Sequence, residues 1–194
     1  MADWLQLLVD ERSDARAASA KATTVRDALV SAGWILPSVD GECALGASGH
    51  RPGANVASWY ARERGEVDFA NLSTNGVVIA AGSFTNLAAA PMELDRLACP
   101  ACGVLVGETD VAECVVAWMS GAVDATVACP SCGRACPLRS LRSRDERASP
   151  IVCGHLALTF HNWPPLDSPR WRRSIVEDIA EVVGSPPSLA WAKI

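Results

Sequence analysis

The residues of this 194-residue chain with the clearest chemical spelling are cysteines. Cys99-Pro100-Ala101-Cys102-Gly103 is repeated as Cys129-Pro130-Ser131-Cys132-Gly133, with 26 residues between the two pairs. Two residues between paired cysteines let both thiolates reach one ion at about 2.3 Å. The glycine after each second cysteine permits the positive φ that turns backbone N–H groups toward the sulfurs. Four thiolates in a tetrahedron suit Zn²⁺ and leave no open coordination position. The expectation is therefore one structural zinc per chain, held by Cys99, Cys102, Cys129 and Cys132. Two disulfides or a redox-active pair are the competing readings. A cytoplasmic chain does not favour stable disulfides, and two matching knuckles say more than one C-x-x-C would.

The knuckles resemble those of the zinc-ribbon superfamily, in which two such pairs cap β-hairpins. The resemblance covers residues 95–136 only. Ribbons of this kind serve nucleic-acid machinery, enzymes and adaptors alike, so the resemblance implies architecture and metal without choosing a function. An iron site of the rubredoxin kind has the same spacing and stays open. The segment between the knuckles departs from a minimal ribbon: Val111, Cys114, Val115 and Trp118 suggest a helical turn within it. Cys136, four residues after Cys132, is a candidate to replace a ligand or to sit beside the set, which is complete without it. Cys114, Cys43 and Cys153 read as buried thiols.

Other candidates are weaker. His155 and His161 share a strand face, but six residues at about 3.3 Å each put them roughly 20 Å apart, too far for one ion. Cys153 and His155 also share that face and form the one candidate nucleophile pair, without a recognisable oxyanion hole or orienting acid nearby. No phosphate-binding loop, dinucleotide fingerprint or H-E-x-x-H motif is present. Arg134, Arg139, Arg142, Arg144 and Arg147 follow the second knuckle, with Asp145 and Glu146 among them, while Arg170, Arg172 and Arg173 are expected to open the last helix. Such arginines grip phosphates or an acidic partner, or form a solvated linker. Trp59 and Trp163 lie in expected loops, where an exposed indole marks a partner surface and a buried one a lid over the sheet.

The elements that must position these groups read as follows. Asp3 with Gln6 has the form of a capping box, so Trp4, Leu5 and Leu8 are expected on a helix. Residues 14–32 carry an apolar stripe of Ala18, Ala22, Val25, Leu29 and Ala32, closed by Gly33. Trp34-Ile35-Leu36 reads as a strand stopped by Pro37, and residues 40–55 as loop. Val67–Phe69 and Val77–Ala81 are expected strands, the second interior to a sheet and preceded by an Asn75-Gly76 turn. His155–His161 alternates, with Leu156, Leu158 and Phe160 on one face. Ser168 and Pro169 suit the start of a helix that carries Trp171, Ile175, Ile179 and Val182 and ends at Gly184. Leu189–Ile194 is a final strand, and strand-helix-strand implies a parallel crossover.

The chain carries 17 basic and 22 acidic residues, a net charge of −5. Residues 1–92 are net −3, 93–138 net −4 and 139–194 net +2. That balance argues against a nucleic-acid coat protein. No apolar run reaches a membrane span, and Asp10-Glu11-Arg12 interrupts the first apolar segment, so a cytoplasmic location is expected. Thirty-two alanines, with 15 arginines against two lysines, suit a GC-rich bacterial genome. Residues 154–166, with Asn162-Trp163-Pro164-Pro165-Leu166, resemble the C-terminal part of small bacterial zinc-ribbon proteins to which no activity attaches. The expected architecture is α+β: a mixed sheet with packed helices, built from residues 1–92 and the β-α-β of 139–194, interrupted by a ribbon at 93–138. The expected role is a non-enzymatic module that binds another protein, of the adaptor or immunity (inhibitor) type, with no membrane partner. A nucleic-acid binder and an enzyme centred on Cys153 and His155 are the alternatives.

Overall fold

The computed structural model describes residues 4–88, 91–144 and 150–193, and is silent on the side chains of 91–93, 192 and 193. Asp3, Asp145, Glu146, Arg147 and Ile194, on which some expectations fall, lie outside the described residues. In chain order the elements are β1 (Trp4–Asp10), α1 (Ala15–Ser31), β2 (Ile35–Ala44), β3 (Ala47–Pro52), α2 (Val56–Trp59) and β4 (Val77–Thr85). The cysteine module follows, with β5 (Leu97–Ala98), α3 (Glu108–Met119), β6 (Thr126–Ala128), β7 (Ala135–Pro137) and β8 (Arg142–Ser143). The chain closes with β9 (Cys153–His161), α4 (Ile175–Val183) and β10 (Ser188–Lys193).

Six strands form one sheet in the order β10-β1-β9-β4-β3-β2, drawn from both flanks of the cysteine module. Every neighbouring pair is antiparallel. The parallel relation expected for the last β-α-β unit exists between β9 and β10, but β1 lies between them. This insertion explains the first correction: residues 4–10 are a strand, not a helix. Leu8 pairs with Leu158 on one side and Leu189 on the other. Two ladders and burial on both faces outweigh the local capping pattern.

The alternation along β9 sorts the two faces as its sequence implies. Leu156, Leu158 and Phe160 join Leu8 against Ala18, Val25 and Leu29 of α1 and Ile175, Ile179 and Val183 of α4. Ala157 faces the other way and packs with Val9, Val152 and Ala190. The α1 N-terminus is capped by Asp14, whose carboxylate accepts from the Ala17 amide at 2.7 Å. α4 starts later than expected. Ser174, not Ser168, accepts the capping bond from the Glu177 amide, and Gly184 ends the helix at φ +82°. Residues 162–173 are thereby left free to fold back onto the sheet.

Three more local readings are corrected. Residues 40–52 are not loop: β2 runs through Pro37 and forms a hairpin with β3, its register broken by two irregularities, and only 53–55 lie outside it as expected. At the outer edge of the sheet a proline leaves no central ladder bond unmade. Phe69–Asn71 is a 3₁₀ turn capped by Asp68, not a strand. Asn75 makes no hairpin. It is fully buried, and its amide donates to the Phe69 and Ala70 carbonyls at 2.8 Å each.

Candidate metal centre

The two knuckles fold identically. In each, the first cysteine's amide donates to the residue after the glycine (Val104 O or Arg134 O, 2.9 Å), and the glycine amide returns a bond to that cysteine's carbonyl at 2.9 Å. Gly103 and Gly133 both sit at φ +69°, in the left-handed region that a side chain would strain. The first knuckle is braced by β5, which pairs with β8, and by a bridge from Ala98 to Leu105. The second caps the β6–β7 hairpin.

This construction brings the Sγ atoms of Cys99, Cys102, Cys129 and Cys132 within 4.8 Å of one another. Cys99 and Cys132 are 3.8 Å apart and Cys102 and Cys129 3.5 Å. A tetrahedron with metal–sulfur bonds of about 2.3 Å has edges of about 3.8 Å. The sulfurs are thus spaced as ligands of one ion, and the donor set fits a metal that prefers thiolates. Amide donors prepare the charge. The Ala101 amide, 3.4 Å from Cys99 Sγ, leads the groups that lower that thiol to about 6. Those of Cys132 and Ser131 lower Cys129. Cys102 moves up to about 12: the Val104 amide favours its thiolate, but Cys129, burial, Cys132 and Cys99 together outweigh it. Four thiolates this close would repel one another, so the set could hold a metal cation that offsets their charge.

Cys136 is not a fifth member of that set, but it touches it. It is 1 % exposed, and its thiol donates to Cys99 Sγ at 3.7 Å and to the Arg134 carbonyl at 3.5 Å. Cys114 is buried in the module's own core with Val111, Val115, Val127 and Leu138, to which Cys99, Cys129 and Cys136 also belong. Trp118, on the expected helical turn now seen as α3, docks the module on the sheet. Its indole N–H donates to the Phe84 carbonyl at 3.0 Å and its ring stacks on His155, centroids 5.3 Å apart.

The remaining candidates are dispersed. Trp163 is 3 % exposed, which fits the lid over the sheet rather than the partner surface, and Trp59 lies half-buried at the end of α2 instead of in a loop. Both join an aromatic cluster with Trp34, Tyr60, Phe69, Phe160 and Trp171. The driving term is the apolar area of the rings, and Trp163 satisfies its N–H on the Asn75 carbonyl at 2.9 Å. Sequence reasoning missed Gln6, the anchor of this loop. Its amide donates to the Trp163 and Pro164 carbonyls at 3.0 Å, and its oxygen accepts from the Leu166 amide at 2.7 Å. A single glutamine among Leu5, Leu7 and Leu8 was the available signal.

Arg170 and Arg173 do not open α4; they precede it and serve the same loop. Arg170 bonds the Ala61 carbonyl, pairs with Glu66 and lies 4.5 Å over the Tyr60 ring. Arg173 pairs with Asp178 at 2.7 Å and covers Trp34 and Trp59. Arg144 donates to the Gly103 carbonyl of the first knuckle at 2.8 Å. Arg139, Arg142 and Arg172 are exposed. Cys153 donates to Thr85 Oγ1 at 3.5 Å rather than to His155, and burial leads the causes that raise its thiol to about 11. Both line a cavity of about 360 Å³ between the sheet and the module.

Fold and site together define an α+β protein with a zinc-ribbon-like four-cysteine insertion. No protein-family model, curated protein or solved structure matches the chain significantly. No helix among the described residues is long and apolar enough to cross a membrane.

Proposed function

We propose that the protein is a non-catalytic, zinc-stabilised module that binds a basic protein, in the manner of an adaptor or inhibitor. The observation that carries this reading is the outer face of α3. Val116 is 65 % and Met119 42 % exposed, and the neighbouring Glu108, Asp110 and Glu113 are exposed with them. Val123, 59 % exposed, and Asp124 extend the same mixture past the helix. Exposed apolar side chains within an acidic surround suit a partner with basic residues around an apolar centre. Zinc on Cys99, Cys102, Cys129 and Cys132 would hold this face in place while doing no chemistry, since four protein ligands close its coordination.

A protonated Cys153 turned toward Thr85 supports the non-catalytic reading. The engagement of Arg144, Arg170 and Arg173 within the fold ranks nucleic-acid binding lower. The test is affinity capture from the native host with wild type and Val116→Asp. A basic protein retained by wild type, lost with V116D and weakened by salt is expected. Equal capture by both, or salt-dependent retention of nucleic acid instead, contradicts the proposal.

A further inference from the structure

The cavity between the sheet and the cysteine module, about 360 Å³, is of small-molecule size and lies where two packed units meet, a favoured place for ligands. The β1–α1 turn, the start of β9 and the module each supply a wall. Trp118, Val123, Pro137 and Leu138 make the apolar part. Its charged groups divide into two kinds. Glu11 accepts from the Cys153 amide at 3.3 Å and Asp14 caps α1, so both are committed. The side chains of Arg12, Arg139 and Asp124 make no ion pair or hydrogen bond with any described residue. His155 lines the same space, is 9 % exposed, and its Nδ1 has no hydrogen-bond partner among the described residues.

We infer that this cavity binds a small zwitterion of the free amino-acid class with an apolar side chain. A carboxylate matches the guanidinium forks of Arg12 and Arg139. An ammonium matches Asp124, and an apolar side chain lies on Trp118 and Leu138. Three lining carboxylates against two guanidiniums leave the site at −1. That balance disfavours a dianion such as a phosphate monoester and suits a molecule of zero net charge. The cavity shares Val123 and Asp124 with the surface beside α3, but the inference does not rest on the proposed function.

The test is a titration of the full chain with each free L-amino acid at millimolar concentration, read by NMR chemical shifts and by calorimetry. Saturable binding of at least one apolar amino acid is expected. Arg139→Gln and Asp124→Asn, both exposed and without an ion pair or hydrogen bond to a described residue, are expected to weaken it about tenfold or more. The N-acetyl and amide derivatives of the same amino acid, each lacking one charge, are expected to bind weakly too. The inference is overturned if no amino acid saturates the site, if R139Q and D124N bind as wild type does, or if the N-acetyl form binds as tightly as the free one.

Discussion

Replacing Gln6 by Leu tests how the loop after β9 is held, because it keeps side-chain volume while removing one buried amide. Three groups lose their partner: the carbonyls of Trp163 and Pro164 and the amide of Leu166. Gln6 is 7 % exposed and Trp163 3 %, so water cannot replace the lost bonds without opening the loop. Each orphaned buried group costs about 1–3 kcal/mol, and the extra apolar burial of Leu returns part of it. A net loss of about 2–5 kcal/mol follows. With a urea dependence of about 2 kcal/mol per M, the unfolding midpoint falls by about 1–2.5 M. Equilibrium unfolding followed by tryptophan fluorescence reads both the shift and the loosened aromatic cluster. A midpoint within about 0.25 M of wild type would refute the assignment of this loop to Gln6.

Other expectations follow from the same contacts. Asp10, 2 % exposed, is held below its ordinary value: burial raises it, but the Ser13 hydroxyl, the Arg12 amide and Lys21 together outweigh that. Its contribution is therefore complete above the unfolded carboxyl value and is lost as pH falls through the lower folded one. Asp10→Asn should flatten the loss of stability in acid, and an unchanged acid limb would contradict this. Cys153, raised to about 11, should resist alkylation at pH 8 in the native protein and react on unfolding, as peptide mass analysis would reveal. Cys136→Ala should keep one metal per chain while lowering its affinity about 10–100-fold, because the thiol supports Cys99 without ligating. Complete metal loss in a chelator competition would make Cys136 a ligand.

The parts of the fold legible in the sequence are those fixed by short-range chemistry. The knuckles state their own turn, since each needs two cysteines, a spacer of two and a glycine at positive φ. β9 could be read because it is central and its two faces meet different surroundings. β1 could not, because Asp3 and Gln6 mimic a cap and only the distant β9 and β10 make residues 4–10 a strand. The β2–β3 hairpin was hidden by its exposed edge position, where glycine and polar residues replace the usual alternation. Ser168 and Ser174 both look like helix caps, and the aromatic cluster, which needs residues 162–173 as a loop, decides between them. The same cluster turned Trp59 and Trp163 inward. The seam cavity depends on how the module docks through Trp118, which no local pattern announces.

The central claim is that Cys99, Cys102, Cys129 and Cys132 hold one zinc that folds the module. Elemental analysis paired with native mass spectrometry tests it most directly, on wild type and on Cys99→Ser with Cys129→Ser. One zinc per wild-type chain, absent from the double variant, is predicted, with the module unfolded and the six-stranded sheet retained. A metal-free wild-type chain with four titratable thiols and an intact fold would contradict it.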